Sequence, residues 1–206
     1  MVTFNKGSQS LTSATGSVII AIAPVLTAVL SSIIFGEKIK IKGWLSIMVS
    51  FVGILVLALW NGVFSVDIGI IWMTGAAILL ATYNITQRQY VKKYTAFQST
   101  AYSIFAGTIL LMVFLPESIP QLVNAQPKAY LVLLYLGIFP SSIAYIWWGK
   151  ALSLAKMTSE VTNFMFVTPL LSAVMGSIVI NEMPSIETYI GGGIILTGLL
   201  LFNKFK

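Results

Sequence analysis

The sequence predicts an all-α integral membrane protein, and three observations carry that expectation. Of 206 residues, 57% are hydrophobic and 9% charged, against about 25% charged in a soluble domain. The apolar excess is gathered into runs long enough to cross a bilayer, which takes roughly 20 helical residues. The basic residues crowd into alternate gaps between those runs, as the positive-inside rule requires of a multi-pass protein. The runs are continuously apolar rather than alternating, so membrane strands are not expected.

Seven transmembrane helices follow in order. Met1 to Ser10 precede them, with one lysine and no apolar core of signal-peptide length. The first span, 13–35, holds Pro24 and ends at Glu37 and Lys38. The second covers 43–61. The third, 66–86, is followed by Arg88, Lys92 and Lys93. The fourth, 97–115, runs out at Glu117, and the fifth, 129–149, is interrupted by Pro140 and followed by Lys150 and Lys156. The sixth, 157–180, carries Pro169 and ends at Glu182. The seventh, 188–203, is short and closed by Lys204 and Lys206.

Ten of the twelve basic residues fall on one side of this plan, with only Lys6 and Lys128 on the other beside Asp67, Glu117, Glu182 and Glu187. That side is expected to be cytoplasmic, with the N-terminus of the chain outside, the C-terminus inside and the cell membrane as location. The net charge of +6 therefore belongs to loops rather than to a nucleic-acid surface; no basic run exceeds Lys92–Lys93. Cysteine and histidine are absent, which excludes disulfides, thiol nucleophiles and histidine-based metal sites and triads. No GxxxxGK[ST] loop occurs, so direct ATP use is not expected. A membrane hydrolase would need a serine with a lysine or carboxylate at depth, and no lysine falls inside a span. The chain is expected not to be an enzyme and to need no cofactor or metal.

The stretches APVLTAVLSSIIFGEK (23–38) and TPLLSAVMGSIVINEM (168–183) stand in one register. An offset of 145 residues relates Pro24 to Pro169, Ala28 to Ala173, Ser32 to Ser177, Glu37 to Glu182 and Gly53 to Gly198. Apolar composition would match leucines by chance, but not a proline, a glutamate and a glycine together, so the chain contains an internal repeat. Five crossings separate the first span from its copy. Five is odd, so the copies are inverted, which is the architecture of secondary transporters. Residues 1–62 read as the last two helices of a first repeat and 63–206 as a complete second repeat. The counterpart of the third span would begin about 80 residues before Met1. Three further helices are thus expected upstream, from a ten-helix inverted-repeat (5+5) transporter fold.

Two stretches carry a family resemblance: TSATGSVIIAIAPVLTAVLSSIIFGEKIKIKGWLSIMVSFVGILVL and LGIFPSSIAYIWWGKALSLAKMTSEVTNFMFVTPLLSAVMGSIVINEMPSIETYIGGGIILTG. Their polar starts, prolines, helix-ending glutamates and following glycines resemble the EamA-type, ten-span branch of the drug/metabolite transporter superfamily. The resemblance implies a central cavity built by both repeats. It implies efflux or exchange of small organic metabolites, with amino acids and their derivatives among the candidates. It also places the third, fifth and sixth spans on that cavity. The polar and aromatic residues at depth there are the substrate candidates: Trp72, Tyr83, Ser141, Ser142, Tyr145, Trp148, Asn163 and Thr168. Asn163 stands first, because an amide inside a membrane is costly without a partner. Tyr83 and Trp148 lie near helix ends and also suit an interfacial belt, while Ser141, Ser142 and Thr168 also suit bonds to their own helix.

Pro24, Pro140 and Pro169 each remove a helical hydrogen bond and read either as hinges or as static kinks. Glu37, Glu160 and Glu182 read either as coupling or gating acids or as interfacial residues that end or start a helix. The expected partners are the lipid bilayer, a small-molecule substrate and a proton or counter-substrate, with no nucleic acid; monomer and homodimer both remain open. A truncated or non-transporting membrane structural protein is the rival reading.

Overall fold

A computed structural model describes residues 2–11, 13–60, 68–171, 175 and 186–206. Among these residues the chain is helical, with no strand. It divides into two compact units, Met1–Ile85 with Lys156–Lys206, and Thr86–Ala155.

The first unit contains α1 (Val2–Ser10), α2 (Ser13–Ile20), α3 (Ile22–Phe35), α4 (Ile41–Leu59) and most of α5 (Gly69–Tyr90). It also holds α10 (Thr158–Thr162), which continues as a 3-10 turn at Asn163–Val167, and α11 (Ile186–Phe205). The second unit contains the end of α5, then α6 (Ala96–Leu111), a 3-10 turn at Met112–Phe114 and α7 (Leu115–Val123). After these come α8 (Pro127–Ile138), a π turn at Phe139–Ile143 and α9 (Ala144–Leu154).

Five helical stretches are long and apolar enough to span a membrane: Thr15–Phe35, Gly69–Tyr90, Ala96–Val123, Pro127–Leu154 and Thr188–Phe205. They match the first, third, fourth, fifth and seventh predicted spans. The second predicted span is a shorter apolar helix, Ile41–Leu57, within α4. The sixth begins at Thr158, but much of 172–185 lies outside the described residues, and with it Ala173, Ser177 and Glu182. The most apolar windows of Thr15–Phe35, Gly69–Tyr90 and Thr188–Phe205 are 39% buried, whereas that of Pro127–Leu154 is not buried at all. Side chains that stay apolar while exposed suit a lipid environment, where helix surfaces need no polar cover.

The local geometry follows from particular residues. α3 ends because Gly36 takes a left-handed φ of 65°, a conformation that costs other residues a clash at Cβ. The Glu37 N–H then reaches back to the Ser31 carbonyl, closing the helix as a Schellman turn. α6 starts at a capping box: the Thr95 hydroxyl accepts from the Gln98 N–H, and the Gln98 side chain accepts from the Thr95 N–H. The π turn sits at Pro140, which has no N–H to give the Leu136 carbonyl. The ladder widens there, with the Ala144 N–H bonding Phe139 and the Ser142 hydroxyl bonding the Gly137 carbonyl at 2.8 Å. Pro140, Ser141 and Ser142 thus form a helix irregularity, as the sequence suggests.

The most extensive helix contact is between α4 and α11. A β-carbon on Gly53 would stand 2.8 Å from both the Gly191 oxygen and the Ile195 nitrogen, and one on Gly198 2.6 Å from the Ser50 nitrogen and 2.9 Å from the Ser46 oxygen. Only glycine permits such an approach. The Ser50 hydroxyl donates to the Ile195 carbonyl at 3.4 Å, and these two residues are 145 apart. Ser46 precedes Gly191, and Gly53 precedes Gly198, by the same interval. Each close contact and its shifted counterpart are therefore both made. The helices run antiparallel, since Gly43 neighbours Phe202 and Leu57 neighbours Gly191. Ala28, Ile47, Ile54, Phe166, Ile195 and Phe202 fill the apolar core around this crossing.

Candidate functional site

The first unit carries an open cavity of about 590 Å³, within the usual range for small-molecule sites, roughly 300–1,000 Å³. It is lined by Ser8, Ser17, Pro24, Met73, Met165, Thr168 and Pro169 among others. Both repeat prolines reach it. Pro24 cannot donate to the Ile20 carbonyl, and the helix breaks at Ala21, between α2 and α3. Pro169 cannot donate to the Met165 carbonyl, which instead takes the Thr168 N–H in the 3-10 turn. Ala21 is displaced by the repeat interval from Phe166, inside that turn. The two helices therefore lose regularity at matching positions, Ala21 on the cavity wall and Phe166 next to Met165, which also lines it.

Of the residues singled out from sequence, Thr168 lines this cavity together with Pro24 and Pro169. Trp72 is not on the wall. It is partly exposed on α5, and the Lys6 ammonium lies 4.9 Å from its ring centroid, a cation–π pair suited to an aqueous boundary. Tyr83 is half-buried on α5. Ser141, Ser142, Tyr145 and Trp148 belong to the second unit, where all four are half-buried and the Tyr145 carbonyl accepts from the Thr100 hydroxyl.

Asn163 is 2% exposed and is not among the residues of the cavity wall; it stands one turn from Ser159 on the same helix face. Neither its side-chain nitrogen nor its oxygen has a hydrogen-bond partner among the described residues, and the Ser159 hydroxyl is in the same state. It sits in a band of buried polar groups: Thr27, Ser31, Asn84, Thr158 and Thr162. The Asn84 amide makes long contacts to the Thr27 hydroxyl, 3.5 Å, and the Met165 sulfur, 3.7 Å. The inside of this unit is thus polar where its outside is apolar.

The helix-end acids converge at the start of α10. Both carboxylate oxygens of Glu37 accept from the Thr158 N–H, at 2.8 and 2.9 Å, and one also accepts from the Thr158 hydroxyl at 2.7 Å. Glu160 accepts from the Lys156 N–H at 3.1 Å and pairs with the Lys206 ammonium at 3.0 Å. Negative charge at a helix N-terminus is favourable, so α10 supplies the compensating contact that Glu37 lacks at the end of α3. Glu182 lies outside the described residues.

Several site residues carry no signal in the sequence pattern. Ser8 lies in α1, whose polar composition hides a helix packed on α5; a β-carbon on Gly7 would stand 3.2 Å from the Gly69 oxygen. Ser17, Met73 and Met165 look like ordinary apolar-helix residues. Arg88 reads as a loop cation, but it is 7% exposed at the end of α5, and its guanidinium donates to the carbonyls of Leu152 and Ala155. It satisfies the last carbonyls of α9. Beside it, Gln87 accepts from the Ser99 hydroxyl at 3.1 Å.

The sequence and the helical fold have known relatives. The family model for the EamA-like transporter family matches residues 1–59 and 67–204. The uncharacterized transporter YdfC of Bacillus subtilis is 30% identical over 206 residues, all of this chain and 67% of that protein. A probable terminal-alkyne amino-acid exporter of Streptantibioticus cattleyicolor is 26% identical over 203 residues, 98% of this chain and 68% of its own length. The chain thus spans about two-thirds of the length of these relatives. A solved crystal structure superposes with a TM-score of 0.76 over 97% of this chain and 70% of its own, at 17% identity, a likeness of fold. The chain belongs to the EamA-like transporter family, within the drug/metabolite transporter superfamily.

Proposed function

We propose that the protein is a secondary transporter that moves small organic metabolites, amino acids or related compounds among them, by efflux or exchange. It works by alternating access between inverted repeats of a 5+5 helix fold, of which residues 1–62 and 63–206 supply parts. The observation that carries this reading is the cavity on which Pro24 and Pro169 both lie, each beside a helix break at matching repeat positions. Broken helices at the contact of two repeats are where such carriers hold substrate. Ser17 and Thr168 offer hydroxyls to orient a ligand, and Met73 and Met165 offer adaptable apolar contact. The exporter name borne by the Streptantibioticus relative supports the amino-acid class. The lysine-rich end faces the cytoplasm of a cell membrane.

The test is a metabolite profile, inside and outside, of cells with and without the protein, followed by binding of any responding compound to purified protein. A compound that accumulates on one side only in the presence of the protein, and binds it, supports the reading. No redistribution and no binding across the profile removes it.

A further inference from the structure

We propose that the Glu37–Thr158 contact is a latch that holds the lysine-rich end of the transport path closed, and that its release opens the cavity to that side. The proposal rests on the transporter reading above and assigns a gating role to two residues outside the cavity wall.

Three observations meet here. First, the contact ties the two proline-bearing elements to each other. Glu37 follows α3, on which Pro24 lies, and Thr158 begins α10, which leads to Pro169. One carboxylate takes an N–H and a hydroxyl from a single residue 121 positions away. Gly36 aims it there by turning the chain sharply at the helix end. Charge-assisted bonds of this kind are roughly twice as strong as neutral ones.

Second, the latch and the cavity lie at opposite ends of the same helices. Thirteen residues of chain separate Pro24 from Glu37, and ten separate Thr158 from Thr168. At 1.5 Å per helical residue these are distances of roughly 15–20 Å. Third, the polar groups differ between the two ends. Phe4, Ser8, Ser17 and Thr168 on the wall are exposed, while Thr27, Ser31, Thr158, Ser159 and Thr162 between wall and latch are 0% exposed. The structure is therefore closed on the latch side. Opening there requires α3 and α10 to part, which breaks the Glu37 bonds. Glu160 and Lys206 tie α10 to the end of α11 instead.

The chain has no cysteine, so single introduced thiols report on access without background. Ser17→Cys marks the cavity and Ser31→Cys the sealed band. Each variant in proteoliposomes is labelled with a membrane-impermeant maleimide from each side. With no other change, the thiol at position 17 reacts from the side opposite the lysines and the thiol at position 31 from neither. Adding Glu37→Ala should raise labelling at position 31 from the lysine side about tenfold, and lower labelling at position 17, as expected for loss of a charged hydrogen bond from a two-state equilibrium. Thr158→Val, which keeps the N–H, should give a smaller rise, and Thr158→Ser should restore the original pattern. The Thr158 pair decides the matter if Glu37→Ala fails to fold. Unchanged labelling in folded Thr158→Val, or Thr158→Ser no closer to the original than Thr158→Val, overturns the latch. The labelling needs no substrate. A protein that moves no metabolite yet shifts its labelling loses the transport reading and keeps the latch.

Discussion

At Asn163, burial and hydrogen bonding disagree. An amide that is 2% exposed with neither polar atom partnered among the described residues weakens the fold by the desolvation of both atoms, about 1–3 kcal/mol. Replacing it with an apolar residue of similar size removes that cost. Asn163→Leu should therefore raise the thermal unfolding midpoint of the purified protein while reducing transport. A lower midpoint would mean that Asn163 has structural partners and is not held for function. The sequence points to this residue, because an amide within an apolar run is conspicuous. It does not reveal that Asn163 is off the cavity wall. That depends on the 3-10 turn at Asn163–Val167, which rotates the side chains relative to a regular helix. Trp72 differs for another reason: its indole suits a cavity and an aqueous boundary equally, and only the position of Lys6 above its ring decides between them.

Helices are easier to read than their irregularities. A run of twenty apolar residues announces a span, and charge at its ends fixes its limits to within a turn or two. The polar composition of α1 carries no such signal, although Gly7 seats it against α5. The fourth span extends further than the sequence suggests, where Glu117 looks like its end. Pro116 stands in the first turn of α7, where a proline costs no hydrogen bond, and the helix continues past Pro120 to Val123. The α4–α11 crossing makes its own prediction. Gly198→Val forces a side chain into the backbone of Ser50 and should destabilise the protein by roughly 1–3 kcal/mol or more, seen as a lower unfolding midpoint. Gly75, with nothing within 4 Å of a β-carbon, is the control: Gly75→Ala should leave the midpoint unchanged or slightly raised, since alanine is the better helix former. Equal effects at the two positions would show that the crossing is not tight.

For the molecule as a whole, composition alone is enough for the class, and lysine placement for the expected orientation. A reporter active only in the cytoplasm should be active when fused after Lys206 and inactive when placed at Lys128; the reverse pattern would invert the topology. The cavity is less legible, since its wall joins α1, which looks like a soluble segment, to methionines and serines that look like packing residues. The crossing of α4 and α11 has one more consequence. Because the contacts of Gly53 recur at Gly198, 145 residues away, the two helices face the same question and must give compatible answers. A bulkier residue at 53 is felt at 191 and 195, and the matching change at 198 is felt at 46 and 50. Neither helix can change freely at this seam, so substitutions on one side should be accepted only with matching ones on the other.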